Sequence, residues 1–198
     1  MNLAELASED LARAQCYAII GRLLYGGPDA GLAAYIADEP GNDEAVPLAQ
    51  AWQALQGACR DADLAQVGLE YDDLFVGVGK APVTLYTSGY AAPHAPDRHL
   101  LALRNRLDDL GLARRATAGE TEDHIAALCD AMRCLIENGH GVDAERRFFF
   151  EFVAPAVEPL CAAIEADGRS PFYRTVARFL QSFYEVERAG FELLGTSD

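Results

Sequence analysis

Apolar residues recur along this chain at three- and four-residue spacing, and no stretch alternates with the two-residue period of a strand. The first run, Leu11, Ala14, Ala18 and Leu24, widened by Tyr17 and Ile20, predicts a helix of about four turns. Ser8 reads as its cap, Glu9 and Asp10 put negative charge in its first turn, and Gly26, Gly27 and Pro28 stop it. Residues 29–38 predict a short second helix, followed by the turn residues EPGND. From Pro47 to about Arg60, Leu48, Trp52, Leu55 and Cys59 share one stripe, which assigns the lone tryptophan to the core. A fourth helix is expected from about Asp61 to Phe75, turning Leu64, Val67, Tyr71, Leu74 and Phe75 inward.

Roughly twenty residues without helical period follow, VGVGKAPVTLYTSGYAAPHAP. Loops of that length in compact domains are usually functional or disordered, and the anchors Val83, Leu85, Tyr86 and Tyr90 argue against disorder. Pro96 and Asp97 then open a fifth helix through Leu100, Leu103, Leu107 and Leu110, ended by Gly111. After the basic stretch ARRA and Gly119, a sixth helix is expected to be capped by Thr121 and to run to Asn138. Its core face would be Ile125, Leu128, Met132, Leu135 and Ile136. Residues 144–166 keep the helical period but carry Pro155 and Pro159, which predicts a kink or a break. Ser170 and Pro171 start a last helix through Phe172, Val176, Phe179, Phe183 and Val186 to Gly190. The pattern as a whole predicts an all-α protein, a single globular bundle of roughly eight helices over residues 1–198 with a long central loop.

Composition changes this picture in one respect. Hydrophobic content of 51% and charged content of 24% are ordinary, but 16 Lys and Arg against 31 Asp and Glu give a net charge of −15. That excess argues against nucleic acid or an anionic membrane as the main partner and leaves a basic peptide open. The cysteines Cys16, Cys59, Cys129, Cys134 and Cys161 are odd in number and scattered, and read as small buried hydrophobes of a reducing compartment. Cys129 and Cys134 do not have zinc-site spacing, so no structural metal is expected. The N-terminus lacks a basic start, and nowhere do about 18 apolar residues run together, so a soluble, cytoplasmic protein is expected.

Few residues suggest chemistry. GVGK at 77–80 fails as a phosphate loop, since Leu74 and Ala81 stand where Gly and Ser or Thr are required. Ser88 has no nucleophile elbow around it. Glu120, Asp123 and His124, at i, i+3 and i+4, are predicted to share the first turn of a helix, where they could bind a metal, act as acid and base, or simply form an acidic helix start. His94 and His99 read as loop and surface residues. The aromatics Tyr71, Phe75, Tyr86 and Tyr90 either pin the loop down or line a groove.

Taken in order, these residues resemble a family. YDDLF (residues 71–75) with Gly77 two positions on, then a proline, LYTSGY (85–90), and the E-x-x-DH of Glu120, Asp123 and His124 are similar to the motifs of the TorD/DmsD chaperones for redox enzymes. RRFFFEFVAPAVEPLCAAIEA and SPFYRTVARFLQSFYEVE resemble that family's C-terminal helices, so the likeness runs from about Leu11 to Glu187. Thr121 stands where the family commonly has Pro, Ala156 where it often has Trp, and Gly89 where Val is more usual.

The resemblance implies an all-helical, non-enzymatic, cytoplasmic protein. It would bind the twin-arginine leader, the body, or both, of a molybdopterin-containing oxidoreductase subunit until cofactor insertion is complete and export can proceed. Carried over position by position, the leader- or client-binding residues are Tyr71, Leu74, Phe75, Tyr86, Ser88, Tyr90, Glu120, Asp123 and His124. A leader offers two arginines and an apolar segment. Asp123 and Glu120 are expected to meet the arginines, His124 to orient a carboxylate or loop backbone, and the aromatics to take the apolar part. No cofactor is implied beyond weak guanine-nucleotide binding, for which the sequence offers no phosphate loop. Other readings remain open at this point: a small all-α hydrolase using residues 120–124, or a scaffold or regulator binding a folded partner. A monomer and a helix-exchanged dimer are equally open.

Overall fold

The computed structural model describes residues 8–40, 46–114 and 119–195. The first residues of the chain, most of the EPGND turn and the second half of ARRA lie outside the described residues. The all-α expectation holds: among the described residues there are helices and turns, and the one β-type contact is an isolated antiparallel bridge between Tyr86 and His124.

The helices begin where the chain supplies acceptors for free N–H groups. Helix α1 spans Ser8–Gly26 and α2 spans Ala30–Asp38, where the Asp29 side chain accepts from Leu32 N at 2.7 Å. Helix α3 spans Pro47–Arg60, with proline in its first turn. Helix α4 spans Leu64–Tyr71, later than the expected start at Asp61, because the Asp63 carboxylate takes the N–H groups of Ala65 and Gln66. It passes into a π turn, π1, over Asp72–Val76, closed by Gly77 N donating to Asp72 O at 2.7 Å. Gly77 has φ +64°, and a Cβ there would stand 3.0 Å from Ala81 Cα and Lys80 O. Only glycine lets the chain double back at that point.

The central loop contains a short helix that its sequence did not announce, α5 at Ser88–Ala91. Helix α6 follows at Pro96–Asp109, and α7 at Ile125–Glu137. The predicted Thr121 cap is corrected: α7 is capped by His124, whose Nδ1 accepts from Ala126 N at 3.2 Å, so Glu120 and Asp123 lie in the turn before the helix and not on it. The expected kink at 144–166 takes a specific form. Helix α8, Val142–Phe148, widens into a second π turn, π2, at Phe149–Val153, and then continues as α9, Ala154–Asp167. Pro155 follows directly on the π turn, as the second residue of α9, and Pro159 lies within α9. Helix α10 covers Pro171–Gly195 and runs past Gly190, the expected stop.

The chain clusters into two compact units, Met1–Leu24 with Leu85–Ala156, and Tyr25–Thr84 with Val157–Asp198. In the first, α1 approaches α7 closely at Gly21, where a Cβ would stand 3.3 Å from Cys129 Cβ. Ile20, Leu23, Leu128, Met132, Phe148 and Phe152 are buried there. In the second, α3 meets α10 through Trp52 and Phe179, with ring centroids 5.3 Å apart. Gln56, buried on α3, closes the end of α2 by donating to the Ile36 and Glu39 carbonyls at 3.1 and 2.6 Å. Those carbonyls are the ones a helix end leaves without partners. Cys59, Cys129 and Cys161 are buried free thiols, pushed up to about 11, 12 and 12 chiefly by burial.

Candidate functional site

Within the first unit, the loop at 85–88 and the turn at 120–124 are zipped together by their backbones. Thr87 N donates to Asp123 O at 2.8 Å and Ile125 N donates to Leu85 O at 2.9 Å, on either side of the Tyr86–His124 bridge. Leu85 is buried and anchors the loop, while Tyr86 points outward and is 39% exposed. Alternation of this kind is what a short extended segment imposes on neighbouring side chains.

The pairing gathers five of the predicted residues. Asp123, 4% exposed, has both carboxylate oxygens occupied by hydroxyls: Ser88 Oγ donates to Oδ2 at 2.5 Å and Thr121 Oγ1 to Oδ1 at 2.6 Å. Its carbonyl accepts from Thr87 Oγ1 at 3.0 Å as well as from the Thr87 amide. A buried carboxylate needs such partners, and here they come from two hydroxyl residues at two points of the chain, while Thr87 serves the backbone carbonyl. His124 is equally buried. Its Nδ1 is committed to the α7 cap, and the Tyr86 ring stands edge-on to it, centroids 5.5 Å apart. Burial lowers the His124 pKa against the raising effect of the Glu120 and Asp123 charges, so the neutral ring, with its proton on Nε2, is the form this fold holds.

The rim above this buried set is formed by Tyr86 and Glu120. The Tyr86 hydroxyl donates to Glu120 Oε2. That bond first, then burial and the charges of Glu120 and Asp123, pushes the phenol up to about 12. Arg114 Nε donates to the Glu120 carbonyl at 2.8 Å. Tyr90, half-buried, lies on α5 with Ser88.

Tyr71, Leu74 and Phe75 belong to the second unit, on α4 and π1. Leu74 is 1% and Phe75 9% exposed. Phe75 and Tyr71 both pack on Tyr173, with centroids at 5.0 and 5.8 Å, and Tyr71 on Phe75 at 5.2 Å. Of the two roles left open for the aromatics, packing is the one that the contacts of these two rings display. Glu70, beside them, accepts from Phe172 N at 3.1 Å and so caps α10.

Three contributors, Thr87, Thr121 and Glu122, were not among the predicted client-binding residues. Thr87 and Thr121 complete the shell of Asp123, and the doublet Thr87–Ser88 ahead of a short helix was the available signal. Glu122, held by Arg104, had none, because their separation of 18 residues matches no local period. His99, expected at the surface, is half-buried against Phe152, centroids 5.6 Å apart. No group of His, Cys, Asp and Glu able to hold a metal occurs among the described residues. Nor is any helix among them long and apolar enough to cross a membrane.

A protein-family model described as "Nitrate reductase delta subunit" matches residues 42–162, a span that contains all nine predicted site residues. No curated protein matches the chain.

Proposed function

The chain belongs to the nitrate reductase delta subunit family, non-catalytic chaperones that serve a molybdoenzyme subunit during its maturation, and from that premise we propose that it binds the twin-arginine leader of its client at the Tyr86–Glu120 rim. The observation that carries this reading is the division of labour in the first unit. Asp123, Ser88 and His124 are buried and committed to one another or to the backbone, whereas Tyr86 is exposed and holds a carboxylate beside it at the surface. A guanidinium approaching that rim finds the Glu120 carboxylate and an aromatic face together, a pairing suited to arginine. Tyr86 and Tyr90 take the apolar part of the leader. Asp123, buried and with one hydroxyl on each carboxylate oxygen, positions the rim and does not itself meet an arginine, which moves the role expected for it from contact to support.

Leader binding keeps the client in the cytoplasm until its cofactor is inserted, and the net charge of −15 speeds encounter with a basic leader. Salt therefore weakens capture through the on-rate, because at 0.1 M the attraction between exposed charges is largely screened beyond about 10 Å.

The test is capture of a client molybdoenzyme subunit, full length and leader-deleted, by wild-type protein and by Glu120→Gln. Full-length subunit should be retained, and retention should drop when either the leader or the Glu120 charge is removed. Equal retention without the leader would assign binding to the body of the client and remove the leader from the mechanism.

A further inference from the structure

Three carboxylates stand in the turn ahead of α7, and each has a different kind of partner. Glu120 accepts from a phenol and Asp123 from two hydroxyls, all of them neutral donors. Among the described residues Glu122 alone is met by a guanidinium: Arg104, from α6, donates Nε and Nη2 to Glu122 Oε2 at 3.0 and 2.9 Å. The Glu122 side chain is 15% exposed and Arg104 48%, so the cation lies over the carboxylate from the solvent side. Burial raises the Glu122 pKa, but the Arg104 bond, Glu122's own backbone N–H and the charges of Arg104 and Arg114 outweigh it and keep the carboxyl below its usual range.

Two features make this contact exchangeable. Both guanidinium N–H groups fall on the same oxygen, whereas the stronger fork places one on each. The Arg104 side chain is also half in water, where an ion pair contributes little net stability.

We infer that Glu122 is an arginine-binding position of the client site and that Arg104 is an internal stand-in for the client's guanidinium. Arg104 keeps Glu122 preorganised in the resting protein, and leaves when an arginine of the client makes the two-oxygen contact that Arg104 does not. The inference rests on the leader-binding reading above, and it names the second acceptor that a pair of arginines requires beside Glu120. It also sets a threshold: a side chain must outcompete a tethered arginine to bind, which a peptide lysine, a point charge without the planar fork, does poorly.

The test uses a labelled synthetic peptide with two adjacent arginines ahead of an apolar run, beside the same peptide with both arginines replaced by lysine. Affinities are read by fluorescence anisotropy for wild type, Arg104→Ala, Arg104→Gln, Glu122→Gln and the Arg104→Ala/Glu122→Gln double variant. Arg104→Ala and Arg104→Gln should bind the arginine peptide about two- to fivefold more tightly, the size expected for releasing an exposed ion pair, and should discriminate less against lysine. Glu122→Gln should weaken binding, and in its background removal of Arg104 should bring no gain. If wild type binds and loss of Arg104 leaves the affinity unchanged or weaker, the stand-in role is overturned while leader binding stands. If neither wild type nor any variant binds the arginine peptide, both the inference and the leader reading fall.

Discussion

The polar cluster of the first unit and the aromatic cluster of the second carry motif residues of equal prominence in the sequence, yet they are built on opposite principles. Around Asp123 the side chains are fixed by directed hydrogen bonds, with Ser88, Thr121 and Thr87 all turned toward one residue. Around Tyr173 they are fixed by shape: Tyr71, Phe75 and Phe172 surround the ring at centroid distances of 5.0 to 5.8 Å, and its hydroxyl is buried without a hydrogen-bond partner among the described residues. The first cluster ends in an exposed rim and the second ends in core. A recurring motif therefore marks where a residue is constrained without saying whether the constraint is a ligand or a neighbour.

The largest break in this comparison should come from Leu74→Ala. Leu74 is 1% exposed, and truncation leaves a cavity expected to cost about 2–5 kcal/mol, measurable by urea unfolding. Client affinity of the folded fraction should be unchanged, whereas Glu120→Gln should alter affinity and leave the unfolding midpoint in place. A loss of affinity in folded Leu74→Ala would put the aromatic cluster among the client contacts.

A smaller effect is expected at His124, where loss of the cap in His124→Ala should cost about 1 kcal/mol and the capping residue in His124→Asn should recover most of it. The pH dependence separates the two roles of this ring. The folded pKa is depressed, so the unfolded chain takes up the proton first as pH falls. Stability is full above the ordinary value of 6.5, declines as pH drops from there through the folded value, and levels off below it. His124→Asn should flatten that decline in an unfolding series from pH 8 to 5. An unaltered decline would place its origin in another group.

The smallest change should follow Tyr173→Phe. Burial first, and then repulsion by Tyr71 once ionised and by the Glu70 and Asp72 carboxylates, raise the phenol pKa, so the hydroxyl stays un-ionised, and it has no partner among the described residues to lose. Its removal should shift stability by no more than about 0.5 kcal/mol, toward greater stability, because an unsatisfied buried polar group is relieved. A marked destabilisation in thermal unfolding would show that the hydroxyl is engaged, and the contrast between the clusters would narrow.

Much of the fold was legible because helices write their own period. The α3 bounds, Pro47–Arg60, and the starts of α6 at Pro96 and α10 at Pro171 follow directly from proline placement and apolar spacing. What escaped was set by tertiary partners. Helix α5 has four residues, too few for any periodicity to register. The π turns keep an apolar pattern close to that of an α-helix while changing the bonding partner by one residue. At the site, the spacing of Glu120, Asp123 and His124 correctly joined them but misplaced them on a helical turn. The backbone pairing with 85–88, some 35 positions away, was invisible to local reasoning, and it is that pairing which draws Asp123 out of the helix and leaves His124 as the cap. Arg104 and Glu122 found each other for the same kind of reason.

The two amides that close the Tyr86–His124 bridge also make a clock. Thr87 N–H and Ile125 N–H are bonded across the pairing, one from a loop and one from a helix start, and neither can meet solvent deuterium until the two segments part. They should exchange at a common rate slower than their loop neighbours, set by one local opening event. A ligand that grips only the rim would slow both together, and a ligand that pries the segments apart would speed both. The direction in which this pair of signals moves therefore reports how the chaperone takes hold of its client, before any complex is seen at atomic detail.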